Sequence, residues 1–367
     1  MKLFKCQQCG QVLYFENVRC ENCGYRLGYL PDIGVMSAVS EDGSHWIAAA
    51  NPDRRYRFCA NWEAYACNWL VPAGENHNGF CIACQHNRTI PDISDPERHH
   101  LWQKLETAKR RLVYGLIKFG LPMPTEASGD PEPLTFQFLA EEEGPKQARQ
   151  QGEDKEEEDK IMTGHANGMI TILLSEADDA ERERQRTRLG EPYRTLLGHF
   201  RHEVGHYYWD KLVRDGGKLD SFRVLFGDET MDYSEALERH YENGAPSGWQ
   251  RGFVSAYATC HPWEDWAETW AHYLHIVDTL EMAGAFGIKV KPAVSDDPDL
   301  EAEIGFDSYR VRDIGLLIEA WLPLAVAVNC LNRSMGQPDL YPFVLSERAI
   351  EKMGYVHDLI HGLNPIH

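Results

Sequence analysis

The sequence predicts an α+β protein, with a double zinc ribbon at the N-terminus followed by a mainly helical domain that holds a small β-sheet. Three observations carry this expectation. Eight of the ten cysteines lie within residues 1–95, grouped like metal knuckles. Beyond residue 95 the apolar residues recur mostly at helical spacing, and Gly168-Met169-Ile170-Thr171-Ile172-Leu173-Leu174 has the β-branched content of a strand. Within the helical part, His202-Glu203-Val204-Gly205-His206 sets two imidazoles one turn apart on a single helix face.

The ribbon domain is expected over residues 1–95. Cys6-x2-Cys9 and Cys20-x2-Cys23 are separated by ten residues, a spacing at which two tight turns each give two thiolates to one tetrahedral zinc. Gly10 and Gly24 follow the second cysteine of each pair, where such a turn favours positive φ. Cys59, Cys67, Cys81 and Cys84 form a second set of four, with one wide and one close pair. Disulfide pairing is the competing reading of both sets. Cys260 and Cys330 stand far apart in sequence and are expected to be buried free thiols.

Residues 96–122 read as a connecting helix. From Pro96 to Phe119, Leu101, Leu105, Ala108, Leu112, Leu116 and Phe119 make one apolar stripe, with Lys104, Lys109, Arg110 and Arg111 at intervening positions. That pattern suits a helix packed on a core, and Pro122-Met123-Pro124 ends it. The third region, 123–367, contains a charge-rich stretch at about 141–160 without apolar periodicity, expected to be a flexible surface loop.

Next comes the helix of the paired histidines, with Pro192 suited to its first turn and Leu196, Leu197, Phe200 and Val204 at helical spacing. Gly205 weakens a helix relative to Ala, so another segment is expected to approach closely there. His202 and His206 can bind one metal ion, and Glu203 can act as the general base for a water held beside it. At least one further ligand is needed. A second helix, Trp263 to Leu274, carries Glu264 and Glu268 one turn apart among Trp263, Trp266, Trp270 and Tyr273. A carboxylate on so apolar a helix is costly unless paired or metal-bound. Either glutamate could be the third ligand, the other then orienting a metal-bound histidine. His261 is a rival ligand. His199 reads as a surface histidine or a neighbour of the site, His272 and His275 as packing residues, and Asp228 and Asp232 as solvent-facing turn residues.

Charge sets the partners. There are 37 basic and 57 acidic side chains, a net charge of −20, and residues 1–125 hold 14 basic against 12 acidic. The excess acid therefore belongs to the later region, which argues against a nucleic-acid partner. Arg54-Arg55-Tyr56-Arg57 reads as a solvated basic loop. The chain opens Met1-Lys2-Leu3-Phe4-Lys5 without an apolar signal segment, and the longest apolar stretch, around Trp321–Val328, is too short to span a bilayer. With thiol-rich knuckles that need a reducing compartment, the expectation is a cytoplasmic protein with no membrane partner.

The two helical motifs resemble a gluzincin of the anthrax lethal factor type, in which a tyrosine precedes the ligand glutamate by seven residues and an acidic residue follows it by four. Tyr257, Glu264 and Glu268 stand at that spacing. The resemblance implies Glu264 as ligand, Tyr257 as the group that steadies an oxyanion and Glu268 as the support of a ligand histidine. Cys260-His261-Pro262, between Tyr257 and Glu264, departs from that pattern. Together with Cys67-Asn68-Trp69-Leu70-Val71-Pro72 and Asn87-Arg88-Thr89-Ile90-Pro91-Asp92, the motifs make the whole chain similar to bacterial zinc-binding metallopeptidases with an N-terminal zinc ribbon. This implies a zincin-like metallopeptidase domain over 123–367. It also implies one catalytic zinc and two structural zincs, the second of these on Cys59, Cys67, Cys81 and Cys84. In such folds a strand placed like 168–174 is an edge strand that pairs with extended peptide, although an ordinary core strand fits the residues equally well. The expected activity is hydrolysis of peptide bonds in a peptide or protein substrate. A hydrolase of a non-peptide amide, or an adaptor whose ribbon binds a protein partner, are the alternatives.

Overall fold

The computed structural model describes residues 2–75, 78–140, 163–189 and 194–363. The charged stretch expected to be a loop at 141–160, and Pro192 at the head of the histidine helix, lie outside them. Two compact units divide the chain: residues 3–114 with 123–197, and residues 1–2 with 115–122 and 198–367.

In the first unit, β1 (Phe4–Lys5) and β2 (Val12–Leu13) form a hairpin around the first cysteine pair. Five antiparallel strands follow in sequence order: β3 (Arg26–Leu30), β4 (Val35–Asp42), β5 (His45–Ala48), β6 (Asn51–Phe58) and β7 (Leu70–Pro72). Tyr29 of β3 also bridges Trp69 beside β7, so the two ends of the sheet meet. Leu30, Val39, Ala48, Tyr56 and Leu70 fill its interior. This corrects the expectation of a basic loop at 54–57. The segment is strand, Tyr56 is fully buried, Arg54 pairs with Asp32 and Glu75, and Arg55 pairs with Asp42.

The second sheet of this unit has the order β10–β11–β9–β8, from β8 (Asn87–Thr89), β9 (Thr135–Leu139), β10 (Gly164–Ala166) and β11 (Met169–Leu173). β8, β9 and β11 run parallel, and α1 (Pro96–Phe119) connects β8 to β9, as a parallel pairing requires. β10 turns back into β11 through Asn167-Gly168, both at positive φ, a two-residue hairpin loop of the primed type. The expected strand is therefore real but is not an edge, because β10 and β9 pair with its two sides. The sheet also draws on residues 87–89, before the connecting helix, and belongs with the N-terminal residues rather than with the histidine helix.

Helix α1 spans the expected residues, but it is buried more widely than one stripe. Lys109 is fully enclosed, donating to Glu106 Oε1 at 2.9 Å and to Asn87. The cation and the carboxylate offset each other's desolvation, which either alone would bear in full. The helix α2 (Asp179–Leu189) closes the unit.

The second unit is helical. It comprises most of α3 (Leu196–Tyr208), followed by a π-helical turn (Trp209–Arg214), then α4 (Leu219–Phe226), α5 (Tyr233–Asn243), α6 (Pro262–Phe286), α7 (Ile314–Ser334) and α8 (Glu347–Ile360). A two-stranded ladder of β12 (Lys289–Val290) and β13 (Ala302–Glu303) precedes α7. The long α6 lies at its centre, contacting α4, α7 and α8, and Trp266, Trp270, Tyr273, Val277 and Leu280 are buried along it. By length and composition α7 could cross a membrane, which corrects the expectation that no segment approaches that size. Leu317, Ile318, Trp321 and Leu324 on one side of it are buried within the unit.

Candidate metal centre

The helix α3 buries Phe200, Val204, Tyr207 and Tyr208, and its Gly205 meets α6. A Cβ there would lie 3.1 Å from Ala267 Cα and 3.2 Å from the Trp270 ring. Trp266 Nε1 donates to the Gly205 carbonyl at 2.8 Å, locking the crossing. The close approach expected from the sequence is thus the contact between the two helices that carry the site. Gly205→Ala adds helix propensity of ~1 kcal/mol. Overpacking opposes it by ~1–3 kcal/mol, because backbone rather than a flexible side chain must move. Thermal unfolding should therefore show a lowered Tm, and an unchanged or raised Tm would contradict this packing.

Helix α6 begins at His261, whose Nδ1 accepts from the Trp263 amide at 3.1 Å, with Pro262 in the first turn. His261 Nε2 donates to the Met231 carbonyl at 3.1 Å. Both ring nitrogens are occupied, so this rival caps the helix instead of joining the cluster. Glu264 and Glu268 then face α3. His202 Nε2 lies 2.9 Å from Glu264 Oε2, His206 Nε2 lies 3.4 Å from Glu264 Oε1, and the two Nε2 atoms are 3.2 Å apart. Glu268 takes the other side of His202, with Oε1 2.7 Å from Nδ1. The alternatives left open by the sequence thus occupy different positions: Glu264 meets both imidazoles where their Nε2 atoms converge, and Glu268 meets only Nδ1.

Such a cluster is awkward without a cation. Glu264 is 1% exposed, and among the described residues its Oε2 has no aligned hydrogen-bond donor, nor has His206 Nδ1 a partner. Burial pushes the Glu264 carboxyl upward, but the His206 and His202 imidazoles outweigh it and hold it well below the ordinary carboxylate range. Burial alone would lower the His202 pKa, yet Glu264 and Glu268 raise it well above that of a free imidazole. Two imidazoles and one carboxylate, within 4.8 Å of one another, match the donor set of a three-ligand zinc site with room for a fourth group.

Glu203 is buried on α3 beside these ligands. Tyr257 sits in a single 3-10 turn, Tyr257–Thr259, its ring centroid 6.0 Å from that of His202. Burial, then the nearby Glu264 carboxylate, push its hydroxyl well up in pKa, so it remains a donor at neutral pH. Two participants were not read from the sequence. Tyr233, the first residue of α5, donates to Glu264 Oε1 at 2.8 Å. Ser255 donates to Glu268 Oε2 at 2.6 Å. Asp228 and Asp232 are exposed as expected, with Asp232 capping α5. His272 is buried against the Tyr341 hydroxyl at 2.7 Å, and His275 receives Arg201, which also reaches Asp278. They pack α6 and form no second metal-type cluster among the described residues.

All ten cysteines are free. Cys6, Cys9, Cys20 and Cys23 converge, with Sγ–Sγ distances of 3.7 Å (Cys6–Cys23) and 3.6 Å (Cys9–Cys20). Cys59, Cys67, Cys81 and Cys84 converge likewise, Cys67 and Cys81 being 3.7 Å apart. A tetrahedron of ~2.3 Å Zn–S bonds has edges of about 3.8 Å, so both sets have the dimensions of a zinc site. Gly10 and Gly24 take the positive φ their turns need, 77° and 75°. Amides support the second set, Trp69 N donating to Cys67 Sγ and Cys81 N to Cys59 Sγ, both at 3.4 Å. Cys260 is buried, but Cys330 is exposed on α7, contrary to expectation, because it falls on the side of that helix away from Leu317 and Leu324.

Comparison with known proteins agrees with these two parts. A family model described as a putative zinc-binding metallo-peptidase matches residues 98–359, and one described as a zinc-ribbon domain matches residues 3–95. Uncharacterized proteins of Mycobacterium bovis and Mycobacterium tuberculosis are 40% identical over 368 residues, covering 100% of this chain and 97% of their own. No solved structure matches the chain.

Proposed function

The chain belongs to the putative zinc-binding metallo-peptidase family, and from that premise we propose that it is a zinc-dependent peptidase cleaving amide bonds of a peptide or protein substrate. The observation that carries this reading is the convergence of His202 Nε2, His206 Nε2 and the Glu264 carboxylate, with Glu203 buried on the same helix. Zinc bound there would supply Lewis acidity, making water nucleophilic near neutral pH and polarising a carbonyl. Glu203 takes the proton of the attacking water and returns it to the departing amine. Tyr257 donates a hydrogen bond to the oxyanion that develops on the carbonyl oxygen. Glu268 accepts the Nδ1 proton of His202 and fixes that ring's tautomer, leaving Nε2 as the ligand atom. Tyr233 holds the Glu264 carboxylate in place.

The two cysteine sets take structural zinc in this reading and stabilise the fold of residues 1–95. Their eight unpaired thiols favour a reducing, cytoplasmic location. A ribbon with balanced charge suits recruitment of a protein partner better than of nucleic acid. Elemental analysis of protein purified without chelator tests the assignment, with an expected content of about three zinc per chain, two in four-cysteine sites and one catalytic. A content near two, unchanged in a His202→Ala, His206→Ala variant, would remove the catalytic zinc and the peptidase reading with it.

A further inference from the structure

The carboxylate that orients His202 is also tied to the turn that carries Tyr257. Glu268 engages both of its oxygens, Oε1 with His202 Nδ1 and Oε2 with Ser255 Oγ. Ser255 Oγ accepts in turn from the Ala258 amide at 3.1 Å, one residue beyond Tyr257. Ser255 is 6% exposed, so water is poorly placed to substitute for it. A hydroxyl offers one proton and two lone pairs, which lets a single small side chain donate to Glu268 and accept from Ala258 at once. Alanine at 255 would leave the partly buried Glu268 Oε2 and the buried Ala258 amide without these partners, whereas threonine keeps the hydroxyl.

We propose that Ser255 is a positioning residue that couples the His202–Glu268 pair to the Tyr257 turn, so that metal loading at His202 orders the segment presenting Tyr257. The proposal rests on the reading of His202, His206 and Glu264 as zinc ligands. When His202 Nε2 is a ligand, the ring proton resides on Nδ1 and points at Glu268. That bond fixes Glu268, Glu268 orients the Ser255 hydroxyl, and the hydroxyl lone pair holds the Ala258 amide. With Nε2 unligated the His202 ring is held only by its contacts with Glu264 and Glu268, so the chain of bonds has no fixed anchor at its α3 end. One tether thus links a ligand on α3 to a group from a separate turn.

Amide hydrogen exchange over residues 255–261, measured on the full chain, tests the coupling without a substrate. Each protein is compared before and after restoring the zinc that a mild chelator removes, with metal content determined in both states. In the parent and in Ser255→Thr, zinc should slow exchange in this segment by about tenfold, the lower range of effects carried by residues behind a ligand. Ser255→Ala should still bind the zinc, about tenfold more weakly, and show no zinc-dependent slowing. If Ser255→Ala does not fold, Ser255→Cys, nearly isosteric but a weak donor, replaces it with the same expectation. Equal zinc-dependent protection in Ser255→Ala and parent overturns the coupling and leaves the zinc reading intact. A parent that takes up no zinc beyond its cysteine sites overturns both.

Discussion

Glu203→Gln is expected to retain zinc and fold while turnover of any cleaved peptide falls by ~10²–10⁴-fold, the scale of a lost general base. The amide has the shape and volume of the carboxylate, so it fits the same buried position on α3. It cannot accept the proton that attacking water must lose. In the proposed mechanism the loss extends beyond one step, since the same carboxylate protonates the leaving amine. Tyr257→Phe gives a useful contrast, as it removes one oxyanion donor and should cost ~10²-fold in kcat with zinc retained. The required measurements are metal content, thermal unfolding, and kcat and KM on a common substrate. Parent-like turnover by Glu203→Gln on a substrate that the parent cleaves would refute the mechanism.

The convergence of the two histidines was legible because helix geometry converts sequence spacing directly into a shared face. His202 and His206 are one turn apart in a helix whose apolar residues repeat at the right period, and that relation survives any tertiary arrangement. Glu264 and Glu268 were legible as a pair through the cost of burying carboxylates among tryptophans. Which one meets the Nε2 atoms depends on how α3 and α6 cross, and periodicity carries no crossing angle. Gly205 marked the crossing only as a weak point in a helix. The cysteine sets were legible for a similar reason, since tight turns with following glycines are local structures.

What escaped the sequence depends on contacts set by irregular chain. Tyr233 follows the exposed Asp232, and nothing local shows that its hydroxyl reaches Glu264, 31 residues on. Ser255 occupies a stretch without apolar periodicity, and its two bonds exist only because the chain turns at Tyr257–Thr259. In the sequence Lys109 is only an intervening position between stripe residues, but its partner Asn87 comes from β8, and α1 is enclosed on that side. The five-stranded sheet of β3 to β7 was missed because its strands do not alternate cleanly. β4 has four consecutive buried residues, and β6 shows mostly polar side chains around one buried tyrosine.

The choice between the two glutamates gives the other large effect. Glu264→Ala should lose the catalytic zinc altogether, lowering the content by about one ion per chain, because two imidazoles alone do not make up the three protein ligands of such a site. The variant also removes a buried anion from between His202 and His206, so the protein should fold with an empty centre rather than unfold. Glu268→Ala leaves all three proposed ligand groups present and withdraws only the acceptor for His202 Nδ1 and for Ser255. Its zinc should remain at high free metal and bind ~10–100-fold more weakly, as for other residues that orient a ligand from behind. Titration against a competing chromophoric chelator separates the two outcomes, with the cysteine sites accounted for by the Glu264→Ala protein itself. Were Glu268→Ala to empty the centre while Glu264→Ala merely weakened it, the ligand would be Glu268. The convergence of both Nε2 atoms on Glu264 would then describe only the metal-free arrangement of the side chains.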